Sequence, residues 1–352
     1  MGTFFSSRPE RTFKPKKKVT MAVRLLEVII PRGKHVILEP IFKKQSIIQH
    51  WIEEDKPGAN FVVKILTRAE DTGSITDAIT KLLSKTENFR IIIQAVEATV
   101  PPVEAPEEPP AKIGRLSVSR EELYNDVVQA AKPTYVFAGL MIISTLIAAF
   151  GFLKDSTAII IGSMVIAPLL APNVALSLGS VLADFTLIRQ GLSTQFSAVL
   201  LVFFLSALFG AATNIDPNLS NIHQRIYADY TDIIVAFLSG TAGILSFTAG
   251  SSTALIGVMV SISLLPPLVA TGLLTGSGYF IYATGSFLLF MANLASLNLA
   301  GILTFIFQGV RPMTWWKAKK ARAYSMKAML LWFILIIILL AAMWLRNSFL
   351  VT

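Results

Sequence analysis

Residues 161–178 read IGSMVIAPLLAPNVALSL, and residues 256–273 read IGVMVSISLLPPLVATGL. Laid over each other at a shift of 95 residues, they match at Gly162/Gly257, Met164/Met259, Val165/Val260, Leu169/Leu264, Leu170/Leu265, Pro172/Pro267, Val174/Val269, Ala175/Ala270 and Leu178/Leu273. Apolar membrane sequence yields chance identities among Leu, Val and Ala, but the glycine and proline matches are not of that kind. The same shift lays the first long apolar run over the fourth and the third over the sixth, so three registers agree. The chain reads as carrying an internal repeat.

Around these stretches, apolar runs long enough to cross a hydrocarbon core of about 30 Å fall at 134–153, 156–183, 191–212, 232–249, 252–275, 280–307 and 328–345. The expected architecture is therefore an α-helical polytopic membrane protein with about seven transmembrane helices. The first six fall into two three-helix repeats, at 133–212 and 232–308, joined by a loop at 213–231. An amphipathic helix at 117–132 leads into the first span, opened by a capping box at Ser119-Arg120-Glu121-Glu122. The seventh helix and the C-terminus occupy 328–352, after a basic loop at 309–327 that holds Arg311, Lys317, Lys319, Lys320, Arg322 and Lys327 without an acid.

The formal net charge of +9 would suit nucleic-acid binding, but the basic residues flank membrane segments, where positive-inside orientation explains them. That rule places the 309–327 loop in the cytoplasm and, six crossings earlier, the N-terminal region as well. Trp315 and Trp316 fit an interfacial belt. The expected setting is the plasma (inner) membrane, with the lipid bilayer as a partner and no nucleic acid. The chain has no cysteine and three histidines, His35, His50 and His223, without metal-ligand spacing. Thiol chemistry, metal sites and cofactors are not expected.

Before the spans, residues 1–20 form a disordered basic arm. Residues 21–100 alternate between period 2 and period 3.6 in the order β-α-β-β-α-β, the order of the ferredoxin-like α+β fold. In this unit Ile48, His50 and Ile52 share a strand face, and Lys56-Pro57-Gly58 makes a turn. A proline-rich acidic linker follows at 101–116.

Each repeat holds three spans, and an odd number inverts the second copy relative to the first. Inverted repeats with interrupted helices at matching positions point to a secondary transporter's binding site. If the second and fifth segments are re-entrant instead, each copy crosses twice and the repeat is parallel. The basic loop is cytoplasmic in both cases, whereas the 213–231 loop changes side.

Pro168, Pro172, Pro266 and Pro267 lack an amide N–H, so they free carbonyls one turn earlier. Irregular backbone at membrane depth is tolerated only against protein or a wet cavity. Ser163, Asn173, Ser261 and Ser263 lie beside these prolines, and Asn293 and Asn298 lie in the sixth span. Together these ten residues are the candidate substrate-binding set, with packing and inter-helix hydrogen bonding as the competing role. Asp184, at the end of the interrupted segment, is the candidate for gating or an ion entrance. No Lys, Arg, Asp, Glu or His occupies the middle of a span, so a midplane proton relay has no candidate.

The stretches SREELYNDV (119–127), IGSMVIAPLLAPN (161–173) with the Asp184 that follows, LLPPLVATG (264–272), NLASLNLAG (293–301) and GVRPMTWWKAKKAR (309–322) resemble the membrane-protein family catalogued as domain of unknown function 389. The likeness runs from about Ser119 to Arg322. Members show Gly where Ala171 stands and Ala where Ser163 stands, changes that conserve small size. The resemblance implies a prokaryotic plasma-membrane protein, often with a soluble N-terminal region. It supplies no established substrate.

The function expected is a membrane transporter of a small solute or ion, working as a homo-oligomer between two inverted halves. An oligomeric ion channel on the same repeat is one alternative. A membrane-anchored sensor with a ligand-binding cytoplasmic domain is another. No nucleophile–base pair or metal set is visible, so an enzyme is not expected.

Overall fold

A computed structural model describes residues 22–31, 35–42, 47–54, 60–84, 86, 88–101, 103, 120–227, 229–249, 253–310 and 315–351. The basic arm, the Lys56-Pro57-Gly58 turn, nearly all of the acidic linker and the Ser119 of the capping box lie outside the described residues. The chain divides into two compact units, Met1–Ile113 and Gly114–Thr352.

In the first unit β1 (Val23–Pro31) is followed by a short helical stretch that ends in α1 (Glu39–Phe42). Strands β2 (Ile47–Glu54) and β3 (Asn60–Arg68), helix α2 (Thr72–Leu82) and strand β4 (Arg90–Val96) complete it. The strands form one antiparallel sheet in the order β2-β3-β1-β4. Alternation in β1 turns Leu26, Val28 and Ile30 onto the face where they meet Val63, Ile65, Ile75 and Ile79. Burying such side chains contributes about 1.5–3 kcal/mol each. The shared face expected for Ile48, His50 and Ile52 holds for the last two, which pair with Ile65 and Val63. Ile48 falls at a register shift between Ile47 and Gln49. His50 stacks on Phe42 with ring centroids 4.2 Å apart.

The second unit is helical. Helix α3 (Arg120–Ala130) buries Leu123 and Val127, and α4 (Tyr135–Leu153) starts behind a Thr134 cap. The second apolar segment is two helices, α5 (Thr157–Ile166) and α6 (Leu170–Leu182), bent by 55° at the break. Then come α7 (Phe185–Thr213), the short α8 (Ser220–Ile226), α9 (Tyr230–Thr248), α10 (Thr253–Gly276), α11 (Phe280–Phe307) and α12 (Trp315–Val351). Among the described residues five helices are long and apolar enough to span a bilayer, and six if the bent pair counts as one span.

Two sequence expectations change here. Pro266 and Pro267 sit inside a continuous α10 and do not interrupt it. The basic stretch is not a loop from Trp315 onward, because α12 already begins there. Its Ala, Lys, Arg and Met content favours helix at little entropic cost.

Helices α7 and α10 pack at backbone distance. A methyl group on Gly276 would lie 2.8 Å from the Ala211 nitrogen, closer than carbon and nitrogen can approach. Small residues at such a seam let dispersion act between whole backbones, which is the usual glue between helices in lipid.

Polar contacts gather at the helix ends. At one end Tyr124 donates to Asp184 at 2.7 Å, Gln190 to the Val128 carbonyl at 2.8 Å and Thr194 to the Ala131 carbonyl at 2.7 Å, which ties α3 to the start of α7. In another group Asp155 accepts from the backbone of Ser220 and Asn221 and from the Asn221 side chain at 2.7–3.1 Å. This fixes α8 beside the α4–α5 turn. Arg346 of α12 donates to the Ile226 and Ile281 carbonyls, and Ser277 accepts from the Ile215 amide.

The Asn221 amides, followed by the other donors, hold the Asp155 carboxyl below the usual carboxylate range. Its folded pKa is depressed, so its contribution is present above the unfolded value near 3.9 and fades as pH falls through the lowered one. We expect Asp155→Ala to cost about 1–2 kcal/mol at neutral pH. Thermal unfolding in detergent will show this as a lowered Tm, with a difference from wild type that shrinks toward pH 3.

Candidate functional site

The break between α5 and α6 is the centre of a buried polar region. Its first carbonyl, Ala167 O, accepts from Ser261 Oγ of α10 at 2.8 Å. On the far side of the break, Asn173 Nδ2 donates to Leu169 O at 2.7 Å and to Gln195 Oε1 of α7 at 3.2 Å. Asn173 Oδ1 in turn accepts from Asn298 Nδ2 of α11 at 3.1 Å, and Asn298 also reaches the Leu294 carbonyl at 2.9 Å. Ser177 donates weakly to Asn298, at 3.4 Å to its carbonyl. Asn173, Gln195 and Asn298 are at most 4% exposed.

This geometry has a local cause. Pro172 stands in the first turn of α6, where its missing N–H is one of the four donors a helix start leaves unpaired in any case. It therefore frees no carbonyl, contrary to the expectation above. The missing N–H of Pro267 does free the carbonyl of Ser263, four residues earlier. Asn293 Nδ2 donates to that carbonyl at 2.8 Å, which lets α10 continue through its prolines. Helix α7 comes close enough for its Gln195 to reach α6 because Gly191, one turn earlier, has no side chain. A methyl group there would lie 3.0 Å from the Pro172 carbonyl oxygen.

The ten candidate binding residues thus divide. Asn173, Asn298 and Ser261 meet at the break, with Pro168 in it and Pro172 just after it. Asn293 and Ser263 lie beside the proline pair of α10, and the Ser263 hydroxyl and Asn293 Oδ1 have no hydrogen-bond partner. Ser163 turns back on its own helix, donating to Ile160 O at 2.6 Å. Asp184 is the N-cap of α7, accepting from the Thr186 and Leu187 amides at 3.0 and 3.1 Å through one oxygen and from Tyr124 through the other. Donation to Asp184 pushes the Tyr124 hydroxyl up to about 12. Both carboxylate oxygens therefore have structural partners at the helix junction.

Sequence reasoning missed Gln195. Its signal is an amide in an apolar run, placed one turn after Gly191 and on the buried face that continues through Ala198 and Val202. Its Nε2 group is buried with no partner.

Apolar helices of spanning length around a buried polar break define the class: a polytopic helical membrane protein with a small antiparallel-sheet unit at its N-terminus. The family described as Domain of unknown function (DUF389) matches residues 164–299, which contain the whole polar region. The chain is 35% identical over 320 residues to the uncharacterized protein MJ0678 of Methanocaldococcus jannaschii, an alignment covering 90% of this chain and 97% of that protein. The chain belongs to the DUF389 family. No solved structure matches it.

Asn173 and Asn298 act as a unit if the network carries load. We expect Asn173→Ala and Asn298→Ala each to lower stability by about 1–3 kcal/mol. The double variant should fall short of the sum by at least about 0.5 kcal/mol. Denaturant or thermal unfolding of all four proteins in one detergent measures the coupling, and strict additivity would show two independent side chains.

Proposed function

We propose that this protein is a transporter of a small solute or ion, with its site at the α5–α6 break between two inverted three-helix halves. The observation that carries the proposal is a break in a spanning segment, lined by polar side chains from both halves. Asn173 and Gln195 come from one half, and Ser261 and Asn298 from the other. Discontinuous helices at the interface of repeats are how secondary transporters build sites in lipid.

Several observations support the repeat and its inversion. Helices α4 and α9 begin at Tyr135 and Tyr230, and α7 and α11 at Phe185 and Phe280, each pair 95 residues apart. The α4–α5 turn is bound to α8, while the α6–α7 turn is bound to α3, which leads into α4. The bent pair therefore starts beside one end of α4 and finishes beside the other, as a crossing segment does. Continued alternation through α12 amounts to seven crossings, the positive-inside rule placing the start of α12 in the cytoplasm of a cell bounded by this plasma membrane. The sheet order β2-β3-β1-β4 with helices after β1 and β3 supports a ferredoxin-like reading of the soluble unit. That unit serves regulation or assembly of a homo-oligomer.

The topology is testable because the chain has no cysteine of its own. Lys154→Cys and Arg189→Cys flank the bent pair, and a membrane-impermeant maleimide should label Lys154→Cys from outside intact cells and Arg189→Cys only after permeabilisation. Labelling of both from one side would establish a re-entrant hairpin and a parallel repeat. For transport itself, we expect Asn298→Leu to reduce solute flux into proteoliposomes at least tenfold while the purified variant still unfolds cooperatively. Undiminished flux would remove the site from the break. Currents of many ions per opening in planar bilayers would replace a carrier by a channel.

A further inference from the structure

Helix α6 begins at the break with Leu169 as its N-cap, and no side chain caps it. The first four amides of a helix have no partner inside it, and Pro172 removes one of them, which leaves those of Leu169, Leu170 and Ala171. The aligned peptide dipoles place about half a positive charge there. Such an end in the interior of an apolar bundle is costly unless something accepts from it.

Gln195 supplies an independent pointer. The residue is 4% exposed, and its Nε2 has no hydrogen-bond partner. Its orientation is determined by the other end of the amide. Oε1 accepts from Asn173 Nδ2, which also donates to Leu169 O, the N-cap carbonyl of α6. Turning the amide over would set two donors against each other, so the N–H groups are the free end. Helices α6 and α7 run antiparallel from their common turn at Ala183–Asp184. Gly191 meets the Pro172–Leu176 turn, and Gln195 lies one turn further along, level with the start of α6. Its unpaired N–H groups and the uncapped amides therefore belong to one place, a cluster of donors on the α6 side of the break.

We propose that Gln195 and the N-terminus of α6 bind a small singly charged oxyanion group, either a free inorganic anion or the carboxylate of a small organic solute. This rests on the transporter reading above and names its substrate class. Donors without acceptors select an acceptor ligand, and the positive helix end disfavours a cation. No lysine, arginine or histidine lies in the middle of a span, so a second negative charge would go uncompensated at low dielectric. One charge is what half a helix dipole and an amide can hold.

The test uses the full-length chain purified in detergent, with unfolding followed in sodium acetate, sodium nitrate and sodium sulfate at equal ionic strength. The expected result is a saturable rise in Tm with acetate or nitrate over sulfate, unchanged when potassium or choline replaces sodium. Acetate alone identifies a carboxylate solute, and nitrate an inorganic ion. Gln195→Met, which removes the donors, and Gln195→Glu, which places a negative charge in the same position, should each lose that rise, each variant being compared with its own Tm in sulfate. A rise that follows the cation, is equalled by sulfate or survives in Gln195→Met overturns the assignment. Should a variant not fold, wild-type proteoliposomes decide: uptake of labelled acetate or nitrate is expected. Uptake of a cation or neutral solute without either anion overturns this inference and leaves the transporter reading standing. No uptake of any solute removes both.

Discussion

A backbone carbonyl without a partner costs several kcal/mol in hydrocarbon, and an apolar segment that stops being helical at Ala167–Leu169 raises that cost in one place. The side chains that meet it set the arrangement of the bundle. Ser261 brings α10 to the Ala167 carbonyl, and Asn173 covers Leu169 from within α6. Because Asn173 then needs an acceptor for its second N–H and a donor for its oxygen, Gln195 of α7 and Asn298 of α11 are held at hydrogen-bond distance. Four helices are thus positioned by one irregularity. A polar network of this kind specifies a single packing where apolar surfaces alone would slide, since lipid tails are as apolar as leucine.

Much of this was legible because spans and turns announce themselves in composition. The apolar runs locate α4, α9 and α11 closely, while α7 begins at Phe185, ahead of the run that starts at Gly191, and Asn173, Asn298 and Ser261 stand out as polar residues in those runs. What escaped were effects that depend on a partner in three dimensions. The proline pair at Pro266 and Pro267 reads as a break by local rules, yet α10 is continuous, with Asn293, on a different helix, supplying the Ser263 carbonyl with a donor. Pro172 reads the same way but falls in a first turn, where it costs nothing. Gln195 was overlooked because one amide in a long apolar run resembles surface polarity until the burial of its face is known. Asp184 reads from the sequence as a gating or ion-entry candidate at a helix end, and its three donors come from Thr186, Leu187 and Tyr124.

The absence of charge from the middle of the spans and the closeness of α7 to α10 belong together. With no charged side chain in the middle of the spans, cohesion there has to come from short-range contact, and short-range contact requires small side chains. Gly272 and Gly276 recur one turn apart on α10, against Ser206 and Ala207 of α7. Such a seam is strong against separation.

The two stretches that match at a shift of 95 residues share a sequence register, but not a shape: the first is broken between α5 and α6, and the second is one continuous helix, α10. Bent and continuous are then two shapes open to closely similar sequence. Ser261 and Asn293, which sit on or beside the helix that carries Pro266 and Pro267, hold this pair of shapes in place through the Ala167 and Ser263 carbonyls.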